Sequence, residues 1–152
     1  MVTGARVNLG FTGSRHEPTS EQKRWLLQYV LDNSPAEFHH GCCVGSDAFA
    51  HKVAKNSLDL GLEQIILHPS IDTSREMKYT DWDYANCIWY PRKEFLPRNR
   101  DIVNAVDKLI ALPDGPEKMR GSGTWYTIHY ALKQRKPVLI CNPLGELQER
   151  NP

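Results

Sequence analysis

Short apolar strand patterns alternate with helical patterns along this chain, and this alternation restricts the possible folds more than any other feature. Arg6 to Thr12 has the pattern of a strand that ends in a GSR turn, and apolar residues at helical spacing follow from Ser20 to Leu31. The same order of strand, turn and helix repeats between residues 37 and 61. Parallel strands need helical crossovers, so the pattern predicts a parallel sheet with helices on both faces.

The second half of the chain continues the alternation after one long interruption. Between Ser70 and Pro97 the sequence has no clean period, and we interpret this stretch as a functional excursion with at most a short helix. The other patterns are a third strand at 63–69, a helix at 98–106, a strand at 108–113, a helix at 123–135 and a last strand at 137–143. We therefore predict an α/β protein with a three-layer Rossmann-like fold and a mostly parallel sheet of about five or more strands.

Length and charge set the broad class. The 152 residues fit a single domain over 1–152, in which the polar residues 143–152 are expected to form a frayed tail. Nineteen basic and eighteen acidic residues give a formal charge of +1, so nucleic acid is an unlikely partner and any anion site must be local. Apolar runs of about six residues are too short for a membrane span, and four cysteines without a CxxC motif indicate reduced thiols. We predict a cytoplasmic protein.

The GSR turn after the first strand is a candidate anion site. Gly13 permits a tight turn, Ser14 offers a hydroxyl and Arg15 offers a forked cation, all placed before a helix whose free amides favour an anion. These features predict contact with a phosphate or a carboxylate. The alternative is an ordinary strand-ending turn with a solvated arginine.

A second glycine-rich turn, GCCVGSDAFAH, precedes the second helix. Gly41 and Gly45 permit close approach of a ligand to the backbone, and Ser46 and Asp47 stand at the start of the helix. Asp47 is expected either to cap this helix or to accept hydrogen bonds from a ribose or orient a neighbouring arginine. The two roles are compatible.

Four cations fall within nine residues around the RNRD sequence, at Arg92, Lys93, Arg98 and Arg100. Such a run is usually a solvated face. Here two arginines flank Asn99 and open the predicted helix next to the long excursion, so we predict that Arg98 binds an anion.

Taken in order, these motifs resemble the SLOG superfamily. The resemblance runs from Val7 to Pro143 and depends on GSR, HGCCVGSDAFAH, LPRNRDIV, and DKLIALP followed by GSGTWYTIHYA. This superfamily includes the Lonely Guy phosphoribohydrolases, the DNA-processing protein A family, molybdenum-cofactor carriers and nucleotide-sensing domains. The resemblance implies a doubly wound sheet, often dimeric, that binds a nucleotide-like molecule with its phosphate at the glycine loop.

Carried over to this chain, the resemblance places the phosphate-binding loop at Gly121, Ser122, Gly123 and Thr124, and Arg98 at the position of a catalytic arginine. One catalytic group departs from the pattern. Where Lonely Guy enzymes have a glutamate three residues after the loop threonine, this chain has Thr127, which cannot act as a general base without an activating partner. The carboxylates that could replace it from loops are Asp81, Asp83, Glu94, Asp114 and Glu117.

Two further clusters have more than one interpretation. His39, His40, Cys42 and Cys43 are close in sequence, but alternate residues of a strand face opposite sides, so no metal site is predicted. The aromatic residues of the excursion are expected either to stack on a base or to cover the core or a subunit contact. They are Trp82, Tyr84, Trp89 and Tyr90.

We predict that the protein binds a nucleotide or nucleotide-derived small molecule at the carboxyl edge of the sheet, with no further cofactor. The alternatives are a phosphoribohydrolase or N-glycosidase that uses a loop carboxylate, and single-stranded DNA binding. We also expect a homodimer or larger homo-oligomer. Arg98 and Thr124 are expected to contact one phosphate, with Arg98 contributing little to the empty fold. The predicted ligand-binding residues are Gly13, Ser14, Arg15, Gly45, Ser46, Asp47, Arg98, Asn99, Gly121, Ser122, Gly123 and Thr124.

Overall fold

The computed structural model describes residues 6–57, 62–79, 87–118 and 120–152. They form four helices and seven strands in an α/β arrangement, as the sequence predicts. The strands are β1 (Asn8–Gly13), β2 (Glu37–His40), β3 (Gln64–Leu67), β4 (Cys87–Trp89), β5 (Lys108–Leu112), β6 (Val138–Cys141) and β7 (Leu147–Arg150). The helices are α1 (Ser20–Asn33), α2 (Ser46–Asn56), α3 (Phe95–Asn104) and α4 (Gly123–Lys133).

The seven strands form one sheet in the order β4-β3-β2-β1-β5-β6-β7. All neighbouring strands are parallel except β6 and β7, which are antiparallel. The mostly parallel, Rossmann-like sheet is therefore confirmed. The chain moves outward from β1 in one direction through β4 and then returns to start again at β5. Because the strand order reverses between β1 and β5, the carboxyl ends of these two strands form the crevice in which such sheets bind ligands.

Two apolar layers cover the sheet. Alternate residues of β5 face opposite sides: Ile110 belongs to the core beneath α1 and α2, whereas Leu109 belongs to the core beneath α3 and α4. The first core also contains Phe11 and Phe38, whose stacked rings lie 6.0 Å apart between centroids. Strands buried on both faces explain why the strand patterns are continuously apolar.

Helix α1 is tied to the ligand edge of the sheet by its first turn. Thr19 is the N-cap and forms a capping box with Gln22, whose side-chain amide also donates to the carbonyl oxygens of Pro113 at 2.8 Å and Cys141 at 3.0 Å. The Thr19 hydroxyl donates to the carbonyl oxygen of Pro143 at 2.7 Å. These bonds fix the chain segments that follow β5 and β6.

Three expectations need correction. The long excursion contains a strand, β4, because Cys87–Trp89 pairs in parallel with β3. The expected frayed tail contains β7, which pairs with β6 and places Arg150 against Glu117. Helix α3 begins at Phe95 rather than at Arg98, so the arginine is not at the opening of the helix. The sequences of β4 and β7 are short and polar or irregular, so their local preference for strand structure is weak. They become strands because they pair with β3 and β6.

In the part of the chain that the structure describes, none of the helices combines the length and the apolar character that a membrane crossing needs.

Candidate functional site

A cavity of about 380 Å³ opens where the strand order reverses, beyond the carboxyl ends of β1 and β5. Several chain segments line it: the turn after β1, the turn after β2, the start of α3, and the loop between β5 and α4. The predicted ligand-binding residues that line the cavity are Gly13, Ser14, Arg15, Asp47, Arg98, Asn99, Gly121, Ser122, Gly123 and Thr124. The structure therefore brings together most of a set that is spread over more than one hundred residues.

The start of α4 offers hydrogen-bond donors to this cavity. Ser122 is the N-cap, and its hydroxyl accepts from the Trp125 amide at 3.2 Å. The amides of Gly123 and Thr124 precede Tyr126, the first residue whose amide donates to a carbonyl oxygen one turn earlier, so they have no acceptor within the helix. Thr124 is only 7% exposed, and its hydroxyl has no hydrogen-bond partner within the described chain. These donors meet at the cavity wall.

In the turn after β1, the Ser14 hydroxyl bonds to the backbone of the same turn. The Ser14 hydroxyl accepts from the His16 amide at 3.2 Å. Arg15 is exposed, and its guanidinium lies over the Phe95 ring at 4.9 Å from the centroid. Helix α1 begins later, at Ser20, and none of its residues lines the cavity. The expectation that the α1 amides help to bind an anion at this turn is therefore wrong. Among the described residues, the guanidinium of Arg15 is a donor group of the turn that has no hydrogen-bond partner.

Gly45 and Ser46 support the site from outside the cavity. The Ser46 amide donates to the Ser14 carbonyl oxygen at 3.1 Å. Gly45 has φ of +80°, and a Cβ at this position would overlap the backbone carbonyl of Arg15. These two residues hold the turn after β1 against the start of α2, and they do not line the cavity.

Arg98 is 5% exposed, and its guanidinium joins the ends of two strands. It donates to the carbonyl oxygen of Gly41 and, at 3.0 Å, to that of His68, while its Nε donates to Asn99 Oδ1 at 2.8 Å. Gly41 follows β2 and His68 follows β3, so Arg98 contributes to the fold without any ligand. This geometry contradicts the expectation that Arg98 contributes little to the empty protein.

Asp47 lies beside Arg98 at the floor of the cavity and is 7% exposed. Its Oδ2 accepts from the Cys43 amide at 3.1 Å, and α2 has no side-chain cap. The expected capping role is therefore wrong. Burial raises the pKa of Asp47 to about 6, although the charge of Arg98 and the amides of Cys43 and Gly41 act in the opposite direction.

The other candidate carboxylates separate into three groups. Asp114 lines the cavity and contacts the Nδ1 atom of His16 at 2.8 Å. Glu117 faces away from it and forms a bidentate pair with Arg150, and bonds from Arg150 and His129 lower the pKa of Glu117 to about 2. Glu94 is exposed and does not line the cavity. Asp81 and Asp83 lie outside the described residues.

Thr127, which stands where the resemblance leads one to expect a glutamate, does not face the cavity. It is 1% exposed, and its hydroxyl donates to the Gly123 carbonyl oxygen at 2.7 Å, one helical turn earlier. The side chain therefore stabilises the start of α4 and offers no group for chemistry.

Sequence reasoning missed several residues that line the cavity, among them Phe95, Arg75 and Lys118. Arg75 belongs to the excursion, which has no period to place it, and Lys118 belongs to the stretched loop before the glycines. Phe95 is the aromatic residue of α3, and the guanidinium groups of Arg15 and Arg98 lie over its ring at 4.9 and 5.5 Å from the centroid. No pattern in the sequence places these side chains in the cavity.

The aromatic residues proposed to stack on a base lie elsewhere. Trp89 packs against Tyr79 with ring centroids 5.0 Å apart, and Tyr90 packs against His68 at 4.3 Å. Neither lines the cavity. Trp82 and Tyr84 lie outside the described residues. A base-stacking role for Trp89 or Tyr90 at this cavity is therefore wrong, and Phe95 is the aromatic side chain available there at the surface.

The histidines of the HHGCC sequence form buried pairs. His39 contacts His68, and His40 contacts His51, each with ring nitrogens 2.8 Å apart. Burial lowers the pKa of His39, His40 and His68, in the last case to about 3. Within the described ranges there is no cluster of three or more residues that could hold a metal ion.

Comparison with known proteins finds a similar fold and no similar sequence. No protein-family model matches the sequence, and no curated protein matches it. Among solved structures, the molybdenum cofactor binding protein from the phototrophic bacterium Rippkaea orientalis aligns with a TM-score of 0.61 and 20% sequence identity. The alignment covers 92% of this chain and 78% of that chain. The two proteins share a fold. The predicted resemblance to a group that includes molybdenum-cofactor carriers is thus confirmed at the level of the fold.

Proposed function

We propose that this protein binds a nucleotide or nucleotide-derived small molecule in the cavity at the ends of β1 and β5. The observation that carries this proposal is the start of α4, where the Thr124 hydroxyl and two helix amides line the cavity without partners in the described chain. A helix start carries about half a positive charge and aims its amides outward, so it attracts a phosphate.

The rest of the cavity matches a sugar and a base. Asn99 lies next to Gly123 and can bond a ribose hydroxyl through its side-chain amide. The Phe95 ring lines the cavity, and a base would stack on it in place of the Arg15 guanidinium, which lies 4.9 Å from the ring centroid. A volume of about 380 Å³ falls at the lower end of the range for small-molecule sites and suits a mononucleotide.

Isothermal titration calorimetry against a ligand panel tests the proposal. The panel contains AMP, other nucleoside monophosphates, ribose 5-phosphate, cyclic ADP-ribose isomers, and the molybdenum cofactor, because the structural neighbour binds that molecule. We expect at least one phosphate-bearing member to bind and adenosine without phosphate to bind far more weakly. Silence across the whole panel would contradict the proposal.

Asp47 favours a second function, hydrolysis of the bond between base and ribose in a nucleoside monophosphate. A buried carboxyl group at the cavity floor with a pKa of about 6 can exchange a proton near neutral pH. Asp114 is the other described carboxylate in the cavity. Incubation with AMP followed by chromatography measures free adenine. If the enzyme function is correct, Asp47→Asn abolishes adenine release and still binds AMP; if wild type releases no adenine, the binding function stands alone.

We further propose that the protein forms a homodimer or larger homo-oligomer. Ile88, Trp89 and Tyr90 are each about 40% exposed next to the β4 edge of the sheet, where large apolar side chains are more often covered by a partner. Sedimentation at micromolar concentration is expected to give a mass above the 17.4 kDa of one chain. A mass of one chain would overturn this proposal.

A further inference from the structure

We propose that the ligand carries two phosphate groups on opposite sides of a sugar, as in a nucleoside 3′,5′-bisphosphate. The inference rests on the proposed function and assigns a second anion site in the same cavity. The first site is the start of α4 with Lys118. The second is the pair formed by Arg15 and Arg75, called here the arginine pair. All of these residues line the cavity.

The two proposed anion sites are anchored to different strands of the sheet. Lys118 and the glycines follow β5, whereas Arg75 is held beside the end of β2: its carbonyl oxygen accepts from the Val44 amide at 2.9 Å, and the Met77 amide donates to the Cys42 carbonyl oxygen at 2.9 Å. Strand β1 lies between β2 and β5. Neighbouring strands are about 4.8 Å apart, so the two anchoring points are separated by about 10 Å. A phosphate at the α4 amides therefore leaves the anchoring point of Arg75 about two strands away.

Both members of the arginine pair act on the carboxylate of Asp72. Arg15 follows β1, the strand next to β2, and is exposed like Arg75. Hydrogen bonds from Ser74 lower the pKa of Asp72, and the nearby charges of Arg15 and Arg75 lower it further. The charges of both guanidinium groups thus reach the same exposed carboxylate.

None of the three cations has an ion-pair partner among the residues described. Arg92, in the same excursion, pairs with Glu76 at 2.6 Å, and Lys93 pairs with Asp101 at 2.6 Å, so cations in this part of the protein ordinarily find acids. Arg15, Arg75 and Lys118 instead remain unpaired around one cavity. Like charges that line one cavity without forming ion pairs repel one another, and a polyanionic ligand reduces that repulsion.

Calorimetry with two probes separates this inference from the proposed function. AMP carries one phosphate, and adenosine 3′,5′-bisphosphate adds the second on the other side of the ribose. We expect wild type to bind the bisphosphate about tenfold more tightly than AMP, since one added charge-assisted contact is of that order. Arg75→Ala is expected to remove this advantage and to leave AMP affinity within about twofold.

Lys78→Ala is the matched control, because Lys78 is an exposed cation of the same segment that does not line the cavity. It should leave the affinity for both probes unchanged. Equal affinity of wild type for the two probes would overturn the inference while the proposed function stands. Equal weakening of both probes by Arg75→Ala would also overturn it, because that result indicates a diffuse field. Binding of neither probe would overturn both the inference and an adenine nucleotide as the ligand.

Discussion

The two sides of the cavity use similar residues in opposite ways. On the β2 side, formed by Gly41, Cys43, Asp47 and Arg98, the polar groups bind one another: Arg98 donates to backbone carbonyls, and Asp47 accepts from the Cys43 amide. On the β5 side, formed by Lys118 and Gly121–Thr124, the Thr124 hydroxyl and the first α4 amides have no partner in the described chain. A polar residue in a cavity contributes to ligand binding only if its hydrogen bonds are not already made. We therefore expect the β2 side to stabilise the protein and the β5 side to bind the phosphate.

The largest expected effect is on the β2 side. Arg98→Ala leaves two carbonyl oxygens and the buried Asp47 without their cation, so we expect the free energy of unfolding to fall by about 3–5 kcal/mol. Urea denaturation measures this change. Arg100→Ala is the control, because Arg100 is only half-buried and its guanidinium donates to the Tyr126 hydroxyl, and it should cost less than about 1 kcal/mol. Similar losses for the two variants would show that Arg98 is not a special support.

Two glycines with the same backbone conformation compare the sides directly. Gly45 and Gly121 have φ of +80° and +77°, but a Cβ at Gly45 meets the Arg15 and His16 carbonyls, whereas the space around Gly121 is open. Gly121→Ala is expected to cost about 1 kcal/mol for the left-handed conformation, and Gly45→Ala about 3 kcal/mol because the overlap adds to it. Thermal unfolding of both variants checks the difference. Equal costs would mean that the turn after β1 is not packed as tightly as described.

The pH dependence of stability tests the burial of Asp47. Its raised pKa means that the folded protein holds a proton more tightly than the unfolded chain between pH 4 and pH 6, so this contribution is lost as pH rises through about 6. His39, His40 and His68 have lowered pKa values, and their contribution is present above pH 6.5 and lost as pH falls. The two effects oppose each other.

Asp47→Asn removes one of these opposing effects. Between pH 7 and pH 4.5 the stability of the variant should fall more steeply than that of wild type, by about 2 kcal/mol. Chemical denaturation at the two pH values measures both slopes. Parallel curves for the two proteins would indicate that the Asp47 carboxyl group has an ordinary pKa.

A pair of threonines in α4 separates ligand binding from stability. Thr124→Val removes a hydroxyl without an observed partner, and we expect about tenfold weaker binding of AMP with little change in unfolding. Thr127→Val removes the donor to the Gly123 carbonyl, and we expect a loss of about 1 kcal/mol in stability with unchanged affinity. Calorimetry and thermal unfolding of both variants check this contrast, and the reverse pattern would contradict the assignment of the β5 side.

The sequence predicts the fold well where local pattern and tertiary position agree. Strands buried on both faces, such as β5, give continuous apolar runs, and Thr19 gives a cap with a recognisable partner at Gln22. The sequence does not predict β4 and β7. Their short sequences become strands only because a neighbouring strand supplies the hydrogen bonds.

For the candidate site, the glycine turns predict which chain segments meet at one cavity, because parallel strands bring their carboxyl ends to one edge of the sheet. What the motifs do not reveal is how each side chain uses its hydrogen bonds. Arg15 and Arg98 look equally available in the sequence, yet the first is exposed and the second donates to two carbonyl oxygens. No sequence pattern predicts the position of Arg75, because hydrogen bonds to the turn after β2, far away in sequence, determine that position.

The unpartnered hydroxyl and amides at the start of α4 lead us to expect that a phosphate binds there. An NMR titration of isotopically labelled protein with AMP tests it most directly, because the backbone amides report contact one residue at a time. We expect the largest shifts at the amides of Gly123 and Thr124 and smaller shifts at Asn99, and we expect Thr124→Val to weaken the titration. Saturable shifts confined to residues outside the cavity, with the Gly123 and Thr124 amides unmoved, would contradict it.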